Sequence, residues 1–410
     1  MAKQNTIVGL DVGTTKVAVT VGQIEEGLVK IIGVGIAKAS GLRKGVVVDI
    51  EETVSAISAA VEQAERTSGI EINSAYVGIN GNHISITQSK GVIAVSRADG
   101  EIVPTDLDRV IEAARAVALP TNQEILHVIP KNFIIDGQEQ IKDPVGMNGI
   151  RLETETLVIG GSTSAIKNLT RCVFQAGLEI EGLVFSPLAD SKAMLSKKQQ
   201  ELGIGLVNLG AGTTTYAIYE EGDLLTTGVI PVGSMHITND IAIGLRTNID
   251  AAEKINIKYA DANPDNVRET EIIEMSKFDP SDNQKPPRRY VAEITQARLA
   301  EIFNLVRDEL RSCGKDGMLP AGIIFAGGGS NLAGMIDEAK EQLRLPCQVG
   351  KLFYPVEGLV DKIDNPIYST SVGLMLWGIE EENSSGQRVN IGNIGGALGR
   401  AKEFLKQFLP

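Results

Sequence analysis

The chain has 410 residues, more than one ordinary hydrophobic core supports, so we expect at least two domains. Aromatic residues make up only 4% and the formal net charge is −13, which argues against nucleic acid as a partner. The N-terminus is polar and no apolar run approaches the roughly 20 residues that span a bilayer, so we expect neither a signal peptide nor a membrane-spanning helix.

Two segments of the chain share one pattern. Residues 7–21 read IVGLDVGTTKVAVTV, and residues 204–218 read IGLVNLGAGTTTYAI. Each is an apolar run, a polar residue, a glycine–threonine turn and a second apolar run, which predicts a β-hairpin with glycine at its tip. A third strand is expected over residues 224–230. The repeat predicts two related α/β domains with a ligand cleft between them.

Helical periodicity follows each hairpin. Apolar residues on one stripe predict helices over residues 51–67 and 299–310. Between the two halves, residues 84–159 combine strand-like runs with one helical pattern, which predicts a small inserted α+β subdomain. A second insertion is expected from residue 241 to 298, with an exposed, proline-bearing loop over residues 279–289.

The glycine–threonine turns suggest binding of phosphate, because glycine lets backbone N–H groups converge on an anion and threonine hydroxyls add donors. Lys16 adds a positive charge suited to a terminal phosphate. Residues 323–329 read as a buried strand ending in three glycines, and we expect a helix to begin near Asn331. Such a junction leaves backbone without side chains, against which a planar nucleobase can pack. A single glycine–threonine hairpin tip is more often an ordinary turn, and the strand–glycine junction alone is equally typical of a tight turn, whereas the three together favour a nucleotide site.

The two hairpins and the Gly-Gly-Gly-Ser turn together resemble the actin, Hsp70 and sugar-kinase ATPase fold. That fold has two actin-like (ribonuclease-H-like) α/β domains around a nucleotide cleft. A closer resemblance is to the FtsA family of bacterial cell-division proteins. It depends chiefly on the run DGQEQIKDPVGMNGIRLE at residues 136–153, and it extends from about residue 6 to residue 377 and resumes at the C-terminus. It implies an inserted α+β subdomain in each half and a C-terminal amphipathic helix.

The resemblance also implies a division of the chain. The first actin-like domain would comprise residues 1–83, 162–202 and 346–379, with an SHS2-like subdomain inserted at residues 84–161. The second would comprise residues 203–240 and 310–345, with a subdomain inserted at residues 241–309. A linker over residues 380–390 and a membrane-targeting helix over residues 391–410 would follow.

ATP and Mg²⁺ are the cofactors that the resemblance implies. Residues around the phosphates would be Gly13, Thr14, Thr15, Lys16, Gly210, Gly212, Thr213, Thr214 and Gly233. Those at the adenosine would be Gly328, Gly329 and Ser330, with Glu253 at the ribose and Lys258 near the base. Asp11 would hold Mg²⁺ through water, with a weaker contribution from Asn208.

Three positions depart from the pattern of related ATPases. Asn208 stands where Asp is usual, Ser186 where many have a Glu that positions water, and Asn256 where a Lys often approaches the base. An amide cannot supply negative charge to a hydrated metal, and a serine cannot act alone as a general base. We therefore predict ATP binding with at most slow hydrolysis.

Residues 391–409 are amphipathic when placed on a helix at about 100° per residue. The apolar residues share one arc bordered by basic residues, a pattern typical of helices lying on an anionic membrane surface, although packing on the protein is the alternative. The residues expected to contact the membrane are Leu398, Arg400, Lys402, Phe404, Leu405, Lys406, Phe408 and Leu409. Residues 380–387, acidic and then Ser/Gly-rich, are typical of a flexible linker before it.

In the FtsA family, the second insertion receives the acidic tail of the tubulin-like protein FtsZ. Arg288, Arg289 and Arg298 would suit such a partner, although any single arginine is equally often part of a solvated face. The resemblance thus implies a nucleotide-dependent filament at the division site, on the cytoplasmic face of the bacterial inner membrane. Its partners would be further copies of itself, FtsZ and other division proteins that bind the inserted subdomain.

Other functions of the same fold stay open. A pilus-assembly adaptor of the PilM type shares the inserted subdomain but usually lacks the terminal amphipathic helix. A small-molecule kinase would need an acidic catalytic base in the cleft, and both expected carboxylates are absent. An Hsp70-type chaperone would need a long substrate-binding region, whereas a linker and one helix are expected after Trp377.

Overall fold

The computed structural model describes residues 6–25, 28–116 and 119–386. The strands are β1 (Thr6–Val12), β2 (Lys16–Glu25), β3 (Leu28–Lys38), β4 (Leu42–Arg43), β5 (Val46–Val47), β6 (Ser74–Ile79), β7 (Ile84–Ala94), β8 (Gln123–Ile135), β9 (Gln138–Ile141), β10 (Arg151–Ser162), β11 (Glu179–Phe185), β12 (Ile204–Leu209), β13 (Thr214–Glu220), β14 (Asp223–Ile230), β15 (Ile323–Ala326), β16 (Cys347–Val349) and β17 (Val356–Gly358). The helices are α1 (Ile50–Ser68), α2 (Pro104–Arg115), α3 (Thr163–Gln175), α4 (Ser186–Met194), α5 (Lys197–Leu202), α6 (Met235–Leu245), α7 (Ile249–Tyr259), α8 (Arg288–Ser312), α9 (Met335–Leu343), α10 (Val360–Ile363) and α11 (Ser369–Gly386).

Two of the sheets share one strand plan. In the first, β1, β2 and β3 form an antiparallel meander, and β6 and β11 extend it in parallel, giving the order β11-β6-β1-β2-β3-β17. In the second, β12, β13 and β14 form the meander and β15 and β16 extend it, giving the order β14-β13-β12-β15-β16. The predicted pair of related α/β domains is confirmed, and the first meander also has a third strand, β3, that was not predicted.

Helix α1 shows why the local predictions from periodicity succeed. The Asp49 side chain accepts a hydrogen bond from the Glu52 backbone N–H and so caps the N-terminus, while Gly69 ends the helix at a φ of 73°. Its buried stripe, from Ala56 to Ala64, packs on β2 and β3. The helix predicted over residues 51–67 is confirmed.

The first insertion is a separate four-stranded antiparallel sheet in the order β7-β10-β8-β9, with α2 against it. It has a small core of its own, which includes Ile102, Val110, Phe133 and Leu152. The predicted inserted α+β subdomain is therefore confirmed.

The second insertion is built mainly from helices. Over residues 241–309, all of them described, the β structure is one isolated bridge between Ile272 and Pro287. Helix α8 begins at Arg288, earlier than the pattern over residues 299–310 indicated. Arg288 and Arg289 therefore lie in the first turn of this helix and not in the loop predicted over residues 279–289.

Two predicted boundaries shift. Strand β16 pairs with β15, so the second sheet extends to Val349, beyond the boundary predicted at residue 345. Helix α11 continues to Gly386, so residues 380–386 are helical where a flexible linker was predicted. Glu381 accepts a hydrogen bond from Trp377 Nε1 one turn earlier on the same helix, at 2.9 Å, and a tertiary one from Tyr76 Oη on β6, at 3.2 Å. The amphipathic helix predicted over residues 391–410 lies outside the described residues.

Within the described ranges, none of the helices combines the length and apolar character needed to cross a membrane.

Candidate functional site

The two hairpin tips have the same backbone construction. In the first, the Gly13 N–H donates to the Lys16 carbonyl at 2.9 Å. In the second, the Gly210 N–H donates to the Thr213 carbonyl at 3.0 Å. Each glycine follows two positions after a polar strand residue, Asp11 or Asn208. The sequence repeat therefore extends to the hydrogen bonds that close each turn.

The two tips lie against each other. A methyl group added to the buried Gly212 would be 2.6 Å from Thr14 Oγ1 and 3.2 Å from the backbone nitrogen of Lys44. Asn80 Nδ2 donates to Thr213 Oγ1 at 3.0 Å, which joins the end of β6 to the second hairpin. The structure thus brings predicted phosphate residues from both hairpins into one place, and a side chain at position 212 would force Thr14 or Lys44 to shift.

The first tip carries an ion pair. Lys16 Nζ lies 2.8 Å from Asp11 Oδ2, and both side chains are more than three-quarters buried. Burial raises the pKa of the nearby Tyr368 hydroxyl, and the Lys16 charge opposes that rise. The predicted phosphate-binding cation and metal-binding carboxylate are therefore neighbours that form an ion pair.

The second tip has an amide with a carboxylate behind it. Asn208 Nδ2 donates to Asp190 Oδ2 at 2.7 Å, and Thr370 Oγ1 donates to Asp190 Oδ1 at 2.8 Å. Asp190 is fully buried. Burial raises the pKa of Asp190 to about 6, although the hydrogen bonds from Asn208 and Thr370 lower it and the charge of Asp11 raises it further.

The loop before α6 packs directly on the second tip. A methyl group on Gly233 would lie 2.6 Å from the Ala211 carbonyl oxygen. The Ser234 N–H donates to the Gly210 carbonyl at 2.8 Å, and the Met235 N–H donates to the Ala211 carbonyl at 2.9 Å. The hydroxyl of Thr214 already has a partner within the protein, because it donates to the Val232 carbonyl at 2.8 Å. Gly233 thus supports the shape of the turn.

The glycine-rich turn after β15 differs in detail from its prediction. Residues Gly328–Asn331 form a 3-10 turn, and the helix begins at Met335, not near Asn331. Gly328 is exposed, whereas Ser330 is buried and its hydroxyl donates to the Gly327 carbonyl at 2.6 Å. Bare backbone is therefore available at Gly328, while the Ser330 hydroxyl has a structural partner.

The two residues predicted at the ribose and base do not share one helix face. Glu253 and Lys258 are five positions apart on α7, which separates them by about 140° around the axis. Glu253 faces the first sheet and lies 3.6 Å from Lys38 Nζ. Lys258 Nζ stands 5.3 Å from the ring of Tyr259. Asn256 Nδ2 donates to Thr238 Oγ1 at 2.9 Å.

Ser186 has little freedom to activate water. It is buried, and its hydroxyl lies 3.3 Å from the Ile79 carbonyl, to which it donates. Its hydroxyl carries no charge, and its proton is committed to a backbone carbonyl, so Ser186 cannot act as a base for water.

The three predicted partner arginines lie along α8. Arg298 forms two hydrogen bonds to Asp240, at 2.6 and 2.9 Å, and lines a surface groove with apolar side chains of α6 and α8. Arg288 and Arg289 lie about 13–15 Å before it along the helix axis. Arg288 donates to Glu271 and to the Tyr259 carbonyl, and Arg289 pairs with Asp265. The groove residues are Asp240, Ile243, Gly244, Tyr290, Ile294, Ala297, Arg298 and Glu301.

Sequence analysis missed three residues of this site. Asn80 follows the end of β6, which pairs in parallel with β1, so its position beside the first tip follows from the topology. Asp190 lies on α4, a short helix buried on most sides, where an acidic residue is itself an unusual signal. Thr370 is 180 residues away from Asp190 along the chain, and no local pattern connects them.

The arrangement fits a phosphate-bearing ligand. Glycines at the tips keep the backbone free of side chains where two turns converge, and a Cβ at Gly212 would crowd Thr14 and Lys44. Lys16 supplies a cation, and the largely buried Asp11 supplies a carboxylate of the kind that hydrated Mg²⁺ prefers. The residues present are therefore compatible with a nucleotide and Mg²⁺.

Comparisons with known proteins agree on one family. The sequence model described as "Cell division protein FtsA" matches residues 205–373, and the model described as "SHS2 domain inserted in FTSA" matches residues 81–160. A cell division protein FtsA of Pseudomonas aeruginosa is 41% identical over 92% of this chain and 90% of its own length. One of Bacillus subtilis is 40% identical over 93% of this chain and 85% of its own length.

Solved structures share the architecture at low sequence identity. The PilM–PilN type IV pilus biogenesis complex has a chain with a TM-score of 0.68 and 14% identity, covering 91% of this chain and 98% of that one. MreB5 of Spiroplasma citri bound to ADP gives a TM-score of 0.54 at 13% identity, covering 93% and 98%. These likenesses confirm the predicted actin-like fold. The sequence relatives above show that the chain belongs to the FtsA family of cell division proteins.

Proposed function

We propose that this chain binds ATP and Mg²⁺ between its two hairpin tips and uses the nucleotide to hold its two domains together. One observation carries the proposal: the tips, built alike, meet where Gly212 faces Thr14 and Asn80 bonds Thr213. The MreB5 structures that share the fold were solved with ADP and with AMPPNP. A ligand that contacts both tips favours the arrangement in which they are together.

The roles proposed for the chain follow from the geometry. Backbone N–H groups of the two glycine–threonine turns would donate to phosphate oxygens, and Lys16 would exchange part of its pairing with Asp11 for a phosphate. Asp11 would then face the hydrated metal. Gly328 would leave room beside the adenosine, and Glu253 would accept from the ribose. Mg²⁺ would supply charge neutralisation of the phosphates.

Hydrolysis is proposed to be slow at most. Asn208 has no charge, and the hydroxyl of Ser186 donates to a backbone carbonyl. Neither side chain can act alone as the base for an attacking water. Phosphate release from the purified chain with anionic vesicles, ATP and Mg²⁺ should stay below about one turnover per minute; turnover on the scale of typical enzymes, about 10 per second, would contradict this.

Binding itself is tested by calorimetric titration of the full chain with ATP in the presence of Mg²⁺. We expect one site per chain and a rise in melting temperature at saturation, because a ligand of the folded state stabilises it. Absence of both heat and thermal shift at millimolar ATP would remove the nucleotide proposal.

The C-terminal segment is proposed to attach the chain reversibly to the cytoplasmic face of the inner membrane. Large apolar side chains on one arc, partly inserted, contribute on the order of 5–8 kcal/mol before ordering costs, and basic residues add about 1 kcal/mol each on anionic lipid. A single helix therefore binds weakly, while many on one polymer bind firmly.

Sedimentation with anionic vesicles tests the attachment. Phe404→Glu with Phe408→Glu should abolish co-sedimentation of the full chain, because both changes fall on the apolar arc. Glu403→Gln with Gln407→Glu changes the opposite face and conserves net charge, so it should leave co-sedimentation unchanged. Equal behaviour of the two double variants, or binding after deletion of residues 392–410, would exclude the helix as the anchor.

The groove on α6 and α8 is proposed to receive the FtsZ tail. Ile243 is 76% exposed and Tyr290 is 42% exposed, so the groove offers apolar contacts beside the charge of Arg298. Arg298→Glu and Ile243→Ser should each weaken binding of an FtsZ tail peptide by about tenfold, measured by fluorescence anisotropy. Ile257→Ser is the matched control, since Ile257 is 81% exposed but lies on α7 outside the groove. Equal effects at the two isoleucines would place the tail elsewhere.

Assembly at the division site completes the proposal: copies of the chain form a filament on the membrane and tie the FtsZ ring to it. The inserted subdomain presents exposed apolar residues, Val145, Met147 and Ile150, suited to contacts with other division proteins. Electron microscopy on anionic lipid monolayers with ATP and Mg²⁺ should show filaments. Discrete monomers under those conditions would argue against polymerisation.

A further inference from the structure

The carboxylate of Asp190 joins three parts of the molecule. It lies on α4, which follows the first sheet, and it accepts from Asn208 at the end of β12 and from Thr370 at the start of α11. Asn208 Nδ2 also lies 3.4 Å from Thr370 Oγ1. These contacts surround the side chain of Asn208, two positions before the second hairpin tip, and the charge of Asp11 on the first hairpin also acts on Asp190.

The groups that donate to Asp190, among them the amide of Asn208 and the hydroxyl of Thr370, are neutral. A fully buried carboxylate with neutral donors keeps much of its desolvation cost, and an apolar or amide side chain of similar size would avoid that cost. A costly buried acid beside a ligand cleft calls for a role beyond packing.

The carboxylate also fixes the orientation of Asn208. Only the NH₂ end of an amide can donate to a carboxylate, so Nδ2 must face Asp190 and Oδ1 must face the other way. Consistent with this, Oδ1 is directed at Gly327, where no side chain could be accommodated. Asn208 therefore presents a carbonyl oxygen, backed by a negative charge, at the strand position equivalent to Asp11.

We propose that Asp190 is a positioning residue that supplies, from behind Asn208, the negative charge which the second hairpin lacks, and that it thereby couples Mg²⁺ to nucleotide binding. This inference depends on the proposed binding of ATP and Mg²⁺. At the first tip the carboxylate, Asp11, lies on the strand itself. At the second tip the strand carries the amide of Asn208, and the carboxylate, Asp190, lies on helix α4 behind it. The alternative is that Asp190 only connects α4, β12 and α11.

Exchanging the two side chains separates these possibilities. The variants are Asp190→Asn, Asn208→Asp and the double exchange, each in the full chain. Two quantities are measured: the ratio of ATP affinities with and without Mg²⁺, by calorimetry, and the melting temperature without nucleotide. Asp106→Asn is the matched control, because Asp106 is equally buried but lies in the first insertion, hydrogen-bonded to Ser96 and Arg109.

Asp190→Asn should lower the Mg²⁺-dependent gain in ATP affinity by about tenfold while leaving the affinity without Mg²⁺ within about twofold. Asn208→Asp places two carboxylates in contact and should lower the melting temperature. The double exchange keeps an amide–carboxylate pair, so it should fold normally and restore the Mg²⁺-dependent gain. Asp106→Asn should leave that gain unchanged.

A purely structural Asp190 gives a different result: melting temperatures change, but the Mg²⁺-dependent gain is the same in Asp190→Asn and the unmodified chain. That outcome overturns the inference and leaves the proposed nucleotide site intact. Failure of the unmodified chain to bind ATP would instead remove the proposed function, and the inference with it.

Discussion

The two hairpin tips have the same backbone and different chemistry. Both close with a glycine N–H donating to a carbonyl three residues on. The first adds a charged pair, Asp11 and Lys16, whereas the second has Asn208 and Thr213 at the equivalent positions. The comparison shows that the spacing of the glycines determines the backbone shape of each tip. The side chains at the two equivalent positions determine how charge is distributed between the tips.

Gly212→Val tests the shared shape and should have the largest effect. Its side chain would collide with Thr14 Oγ1 and the Lys44 backbone, so the tips would separate and ATP affinity should fall at least about 100-fold by calorimetry. Gly177→Ala is the control: its φ of +87° makes the change strained, but nothing lies within 4 Å of the added carbon. Retained binding in Gly212→Val would mean that the tips do not both contact the ligand.

Lys16→Met and Thr213→Val test the difference in charge. Removing the Lys16 cation eliminates a charge-assisted phosphate contact and leaves Asp11 unpaired, so ATP affinity should fall about 10- to 100-fold. Removing the Thr213 hydroxyl eliminates neutral hydrogen bonds and should cost about three- to tenfold. Equal losses, measured by the same titration, would show that the two tips contribute alike despite their side chains.

Asn80→Ala tests the connection between the first domain and the second tip. Loss of the hydrogen bond to Thr213 should reduce ATP affinity about fivefold, since a neutral hydrogen bond contributes about 1 kcal/mol. Asn82→Ala, two residues on and exposed, should have no effect. If the two variants bind alike, the contact between Asn80 and Thr213 does not assist nucleotide binding.

Lys38→Ala should have the smallest effect. Its ion pair with Glu253 spans the two domains at 3.6 Å, but Lys38 is 78% exposed, and such pairs contribute well under about 1 kcal/mol. ATP affinity should change less than about twofold at physiological salt, and the change should vanish at 1 M salt. A large, salt-resistant loss would mean that Lys38 contacts the ligand itself.

Local pattern predicted much of this molecule, because hairpins and helices are determined by neighbouring residues. The tips at Gly13 and Gly210, the helix capped by Asp49, and the inserted subdomain all follow from periodicity and turn chemistry. Periodicity could not show that residues 380–386 stay helical, because Glu381 is held there by the hydroxyl of Tyr76, far away in the chain.

The sequence pointed to the glycines of the candidate site but not to the residues that hold the two hairpins in place. The contacts of Asn80, Asp190 and Thr370 form only when the parallel strands and the last helix are packed around the tips, so no local pattern predicts them. Conversely, Lys258 was expected near the base from its place in the chain, yet the helix directs it away from Glu253. The resemblance indicated which residues to expect at the cleft, and three-dimensional contacts showed what each of them touches in the protein.

A crystal structure of the full chain grown with AMPPNP and Mg²⁺ tests the central claim most directly. The account predicts one nucleotide whose phosphates contact backbone N–H groups of both Gly13–Lys16 and Gly210–Thr214, with the metal on the Asp11 side. A nucleotide that touches only one of the two turns, or tips that lie apart with no nucleotide between them, would contradict it.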